Sequence, residues 1–232
     1  MNYSYGLKRG IPIALGYLSV SFGFGIFASG SGLMPLEAIL ISMTNLTSAG
    51  QKAGVDVIAT GGTLIEMIVT QLVINLRYSL MGISLTQKLN GKFTLWKRLL
   101  LSMGITDEIF AVASSEKENI SPVYMLGLMT LPYVGWTMGT ALGAFAGNVL
   151  PSSLTEALGL ALYSMFIAII VPPAKKDKGI LLACVIAAVL SCILFYIPMI
   201  SQGFAIILCA VIAAALMAIL HPVKHGEGGD AA

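Results

Sequence analysis

The 232 residues are 57% hydrophobic and 10% charged, with a formal net charge of +2, whereas an ordinary soluble domain carries about a quarter charged residues. Together with a mean hydropathy of +0.89, this excludes a soluble globular fold, and the small net charge without a Lys/Arg-rich stripe excludes a nucleic-acid partner. The apolar runs are long and continuous rather than alternating with period two, which excludes a transmembrane barrel and leaves helices, because lipid tolerates no unpaired backbone polar group.

Lys8 and Arg9 precede an apolar run that ends in Ala28-Ser29-Gly30-Ser31-Gly32, an arrangement that mimics a cleavable secretion signal. The stretch from Ile11 to Leu36 is longer than a signal core of roughly 7 to 15 residues, so a retained first span is expected at 11–30. Further spans are expected at 62–85, 123–148, 154–172, 179–198 and, shorter but uncharged, 203–220; crossing the hydrocarbon takes about 20 apolar residues. Segments 36–56 and 99–115 carry short apolar parts broken by polar clusters, and they decide the topology.

Basic residues outside the spans fall at Lys8/Arg9, Lys88 to Arg98, Lys175/Lys176/Lys178 and Lys224. The positive-inside rule places all four groups in the cytoplasm. Six crossings satisfy it if 36–56 enters and leaves by the outer side and 99–115 by the inner side; a full crossing by 36–56 gives the alternative of seven. The expectation is therefore an all-α, polytopic transmembrane helical bundle of six spans plus re-entrant or broken segments. It forms one integral membrane domain over 1–232, with both termini cytoplasmic and a short solvated tail from Gly226 to Ala232.

Within 36–56, Thr44-Asn45-Leu46-Thr47-Ser48-Ala49-Gly50-Gln51 packs hydrogen-bonding side chains around a glycine able to break a helix. Irregular backbone at membrane depth persists only where protein buries it or it lines a watery cavity, and transporters hold small polar solutes at such breaks. An ordinary interfacial loop is the competing reading. Asn45, Thr47, Ser48, Gly50 and Gln51 are the candidate substrate contacts: hydroxyls and backbone N–H groups around Thr47, Ser48 and Gly50 for a carboxylate, and Gln51 or an acid for an ammonium group.

On the next helix Thr63, Glu66, Thr70 and Arg77 share a face at helical spacing. A charge at the bilayer centre costs about 2.5–3.5 kcal/mol on insertion scales, so Glu66, the deeper residue, is expected to face the bundle interior or stay protonated, and Arg77 either to belong to the polar stripe or to snorkel to the interface. Gln71, Asn75 and Tyr78 form a second polar row, from which Gln71 and Asn75 join the substrate contacts. In Thr106-Asp107-Glu108 the threonine can cap a following helix with both acids in its first turn; alternatively one acid binds an ammonium group or carries a coupling proton. Glu66, Arg77, Asp107 and Glu108 are thus the candidates for ion coupling or gating.

Gly135, Gly139, Gly143 and Gly147 recur every fourth residue in an uncharged helix, a ridge that lets another helix approach closely. The neighbour can be internal, a second copy in a homo-oligomer, or another subunit. Cys184, Cys192 and Cys209 lie in apolar runs without ligand spacing, and Pro222 separates His221 from His225, so neither a metal nor a cofactor is expected. No nucleophile-and-base arrangement points to an intramembrane enzyme.

Gly10-Ile11-Pro12-Ile13-Ala14-Leu15-Gly16-Tyr17, Asn75-Leu76-Arg77-Tyr78-Ser79-Leu80-Met81-Gly82 and Thr106-Asp107-Glu108-Ile109-Phe110-Ala111 resemble, in order and spacing, segments of the AzlC family, and the resemblance covers nearly the whole chain. It implies the large subunit of a two-component exporter in the cytoplasmic membrane. The solutes implied are leucine, isoleucine, valine and methionine; the drive is an ion gradient, and the partner a small, separately encoded AzlD-type membrane subunit. Lys52 after Gln51, where the family usually has Phe, and Tyr78, where it often has His, depart from the pattern and leave open a different amino-acid-like solute. A non-transporting assembly subunit is the remaining alternative.

Overall fold

A computed structural model of the chain describes residues 1–147, 167, 170–172, 174–197, 200 and 202–220. It is all-α, and each helix begins for a local reason. Asn2 opens α1 (Tyr3–Gly30) by accepting the Tyr5 N–H at 2.9 Å. Pro35 starts α2 (Pro35–Thr44), where its missing N–H costs nothing. After a break come α3 (Ala49–Ala59) and α4 (Leu64–Thr86), the latter capped by Thr63 on the Glu66 N–H. The short α5 (Leu95–Ser102) and α6 (Asp107–Ser115) follow, and Thr106 caps α6 as expected from sequence. Ser121 and Pro122 begin α7 (Pro122–Ala146), and Asp177 begins α8 (Lys178–Phe195), which precedes α9 (Gln202–Leu220).

Helices α1, α4 and α8 are long and apolar enough to cross a membrane. The 25 residues of α7 carry no charge and rise about 37 Å at about 1.5 Å per residue, enough to span. Most of the expected span at 154–172, and the tail beyond residue 220, lie outside the described residues.

The chain divides into two compact units, Met1–Phe166 and Ile167–Ala232. In the second, α8 and α9 pair antiparallel: a Cβ added at Gly179, at the start of α8, would lie 3.7 Å from Met217 near the end of α9.

The first unit is built on α1 and α7, which run parallel and nearly touch. Gly6 and Gly10 of α1 face Tyr124 to Pro132, while Gly135, Gly139 and Gly143 of α7 face the backbone at Ala14, Leu18 and Phe22, with Gly147 beside Ile26 and Ser29. The glycine ridge is thus filled within the chain, by the first span. Here the end of the unit where α1 begins is termed near, and the end where it finishes far.

Two half-length hairpins fill this frame from opposite ends. From the far end, α2 runs inward: Ala38 packs with Ala28 and Ala144, Ser42 bonds Thr140, and Leu46 reaches the cluster of Tyr17 and Trp136 at mid-length. Chain direction then reverses, since Gln51 of α3 bonds Ser42 and Val55 returns to the level of Phe24, Ala28 and Ala144. From the near end, α5 climbs until Gly104 lies against Met129, and α6 descends from Thr106 beside Tyr17 to Glu116, which meets Arg9, Tyr5 and Tyr124. Segments 36–56 and 99–115 therefore turn back on opposite sides, as the six-crossing arrangement requires.

Candidate functional site

The two hairpin tips meet beside the middle of α4. The first, Asn45 to Ser48, is not helical; Ser48 holds φ at 49°, a left-handed conformation that costs a non-glycine residue about 1–3 kcal/mol. Thr47 Oγ1 donates to Asn45 Oδ1 at 2.6 Å, and Tyr78 Oη donates to the Thr47 carbonyl at 3.4 Å. Gly50 opens α3 at the closest approach to α4: a Cβ there would crowd Thr47 Oγ1, Gln71 Oε1 at 2.9 Å and Asn75 Nδ2 at 3.0 Å. Gln71 Nε2 accordingly reaches the Gly50 carbonyl at 2.8 Å, and Asn75 Nδ2 donates to Gln71 Oε1 at 3.0 Å.

The second tip brings acids to the same level. Asp107 Oδ2 lies 2.9 Å from Arg77 Nη1, while Arg77 Nη2 donates to Tyr78 Oη at 3.1 Å. Adjacent residues of α4 thereby hold both tips, Arg77 the second and Tyr78 the first. Glu108 Oε2 turns to α1, 2.5 Å from Tyr17 Oη, which also lies 2.6 Å from Thr106 Oγ1.

A cavity of about 240 Å³ lies between the first hairpin and α4. Its polar lining includes Asn45, Gln51 and Gln71, and its walls Ile41, Val55, Ile58 and Met67. Drug-sized ligands occupy about 300–1,000 Å³, so this space suits a smaller solute with an apolar part. Gln51 Oε1, which belongs to this lining, is buried without a hydrogen-bond partner, as are Ser48 Oγ of the first tip and Thr70 Oγ1, Asn75 Oδ1 and Arg77 Nε of α4. A buried polar atom left dry costs about 1–3 kcal/mol, so several of them on the first tip and the facing turns of α4 mark a place for water or a polar ligand.

Of the residues singled out by sequence, Asn45, Thr47, Ser48, Gly50, Gln51, Gln71, Asn75, Arg77, Asp107 and Glu108 gather here. Glu66 does not. The sequence pattern made it the deep charge of the span, but it sits in the first turn of α4, 3% exposed, with its N–H on Thr63. The mid-helix charge is Arg77, which pairs with Asp107 instead of snorkelling. Tyr17, Ser42 and Thr140 were not flagged, although each is a polar side chain in an apolar run and is buried at 7%, 0% and 0% exposure.

Basic residues collect at the near end. Arg9 pairs with the buried Glu116 at 3.0 Å, Lys88 reaches the Ser114 and Glu116 carbonyls, and Lys92 and Lys97 lie beside Met1 and Pro122.

The family model described as AzlC protein matches residues 12–150, which contain both hairpins and the spans that hold them. The chain is 28% identical over 206 residues to the inner membrane protein YgaZ of Escherichia coli, covering 85% of this chain and 84% of that protein. It is 31% identical over 172 residues to an uncharacterized membrane protein of Archaeoglobus fulgidus, covering 73% and 75%. With the branched-chain amino acid transport protein AzlC of Bacillus subtilis it shares 25% identity over 171 residues, covering 72% and 66%. No solved structure matches the chain. On the family match and these relatives, the chain is a membrane protein that belongs to the AzlC family.

Proposed function

We propose that the chain is the large subunit of a secondary transporter that exports branched-chain amino acids, working with a small AzlD-type membrane subunit and driven by an ion gradient. The observation that carries this reading is a cavity between the first hairpin and α4 that joins Asn45, Gln51 and Gln71 to apolar walls, while the oppositely entering second hairpin is held to the same helix by the Arg77–Asp107 pair. The branched-chain amino acid transport for which the Bacillus subtilis relative is named supports it. An amino acid with a branched side chain needs both features: polar groups for its zwitterionic end and Ile41, Val55, Ile58 and Met67 for the rest. The near end, with its basic residues, faces the cytoplasm in this reading.

Asp107 is the candidate proton carrier, because protonation would cancel its attraction to Arg77 and free the second hairpin tip. Glu66, buried at the far end of α4, is the candidate for coupling or gating at the outer side. An assembly subunit without transport explains less: the glycine ridge, its best support, is occupied by α1. No role in this reading calls for a metal, a cofactor or a covalent step.

Efflux of leucine, isoleucine and valine from loaded cells expressing both subunits tests the proposal. Wild type is expected to export them, Asp107→Asn to lose coupling to the gradient, and Glu66→Gln to slow export. Unaltered efflux in both variants removes these roles, and absence of efflux from wild type removes the function.

A further inference from the structure

Gln51 is 1% exposed, lines the cavity, and is tethered by one end only. Its Nε2 donates to Ser42 Oγ at 3.0 Å, and Ser42 Oγ lies 2.7 Å from Thr140 Oγ1 on α7. Ser42 and Thr140 are both 0% exposed, so solvent does not compete for these hydroxyls. With its donor end engaged, the amide keeps Oε1 buried and without a donor.

A second chain of amides ends with the same polarity. The Gly50 carbonyl can only accept, so the Gln71 amide must turn Nε2 toward it. Gln71 Oε1 then faces Asn75 Nδ2, which leaves Asn75 Oδ1 as another buried acceptor without a donor. Two independent hydrogen-bond chains thus finish on carbonyl oxygens at this level of the bundle. A primary ammonium group, with three N–H donors and a positive charge, satisfies such acceptors; a carboxylate would be repelled.

We propose that Gln51 Oε1 receives the α-ammonium group of the transported solute, and that Ser42 and Thr140 are positioning residues that hold that amide by its N–H end. The proposal rests on the transport reading and adds what the site selects: an α-amino group rather than any small branched acid.

The test uses the full chain with its small subunit in vesicles. It compares half-saturation for leucine with that for its 2-hydroxy analogue, in which a hydroxyl replaces the ammonium group. Wild type should prefer leucine by about 10- to 100-fold, the worth of a hydrogen bond to a charged group. Gln51→Met should abolish most of that preference while leaving maximal rate less affected. Thr140→Val should reduce it in the same direction, and Thr140→Ser, which returns the hydroxyl, should restore it. Gln51→Glu offers acceptors alone and should keep or raise the preference, a readout that remains if the apolar variants fail to fold. The proposal is overturned if Gln51→Glu loses the preference, which would mean the donor end reads a carboxylate, or if Gln51→Met or Thr140→Val retains it in full. Wild type that moves neither compound overturns the transport reading instead.

Discussion

Alanine placed at Gly143 and at Gly16 is the same chemical change with opposite expected signs. At Gly143 the new methyl would meet three backbone atoms of Phe22: its carbonyl oxygen most closely, its carbonyl carbon at 2.8 Å and its Cα at 3.0 Å. Backbone cannot rotate aside, so α1 and α7 would have to separate along a contact that runs most of their length. Overpacking of this kind costs about 1–3 kcal/mol, set against about 1 kcal/mol gained by replacing glycine within a helix. At Gly16 nothing lies within 4 Å of the added Cβ, so the gain stands alone. The helix gain is common to both, so the two variants should differ by the overpacking cost of about 1–3 kcal/mol, or about 2–12 °C in Tm at about 2–4 °C per kcal/mol for a chain of this size. Thermal unfolding of the purified protein in detergent measures the difference. A Gly143→Ala protein melting at or above Gly16→Ala would refute the parallel α1–α7 contact on which the placement of both hairpins depends.

The Arg77–Asp107 pair, whose side chains retain 41% and 33% exposure, should cost about 1–3 kcal/mol when either partner alone is neutralised, below the 3–5 of a fully buried pair. Arg77→Gln/Asp107→Asn should recover most of that stability while remaining inactive in efflux; a double variant as unstable as the sum of the singles would show that the two side chains do not interact. Ser48→Gly should raise stability by about 1 kcal/mol by relieving the conformation at φ 49°, yet raise the half-saturation for leucine by removing the unpaired hydroxyl. A parallel fall in stability and transport would place that hydroxyl in a purely structural contact.

Hydropathy made the spans legible, and the polar interruptions made the hairpins legible. The basic loops alone suggest that segment 36–56 turns back, because a full crossing there separates Lys8 and Arg9 from the Lys88–Arg98 loop. Depth was less legible. Glu66 and Arg77 lie on one helix, and a window average cannot say that α4 begins at Leu64 and leaves Glu66 in its first turn. Long-range polar pairs were not legible at all: Ser42 and Thr140 are 98 residues apart, and neither has a charge or motif to mark it. The glycine ridge announced a close helix contact, but its partner emerges only when Gly6 and Gly10 on α1 are seen to face α7.

The hairpins differ where their second helices begin, and the difference bears on which tip receives solute. Both α3 and α6 start at mid-depth, so each points the positive end of a helix dipole into the same region. The first turn of α6 carries Asp107 and Glu108, which answer that dipole from within the chain and are further engaged by Arg77 and Tyr17. The first turn of α3 carries no acid, and Ser48 just before it has a hydroxyl without a partner. A carboxylate from outside the chain is therefore better received at α3 than at α6, where it would face two acids. In the proposed reading, a carboxylate at the start of α3 and an ammonium group toward Gln51 would direct the side chain of the solute among Ile41, Val55, Ile58 and Met67. In the proposed transport reading, Asp107 and Glu108 would then be free to change charge without touching the solute, the separation that coupling an ion to a zwitterion would require.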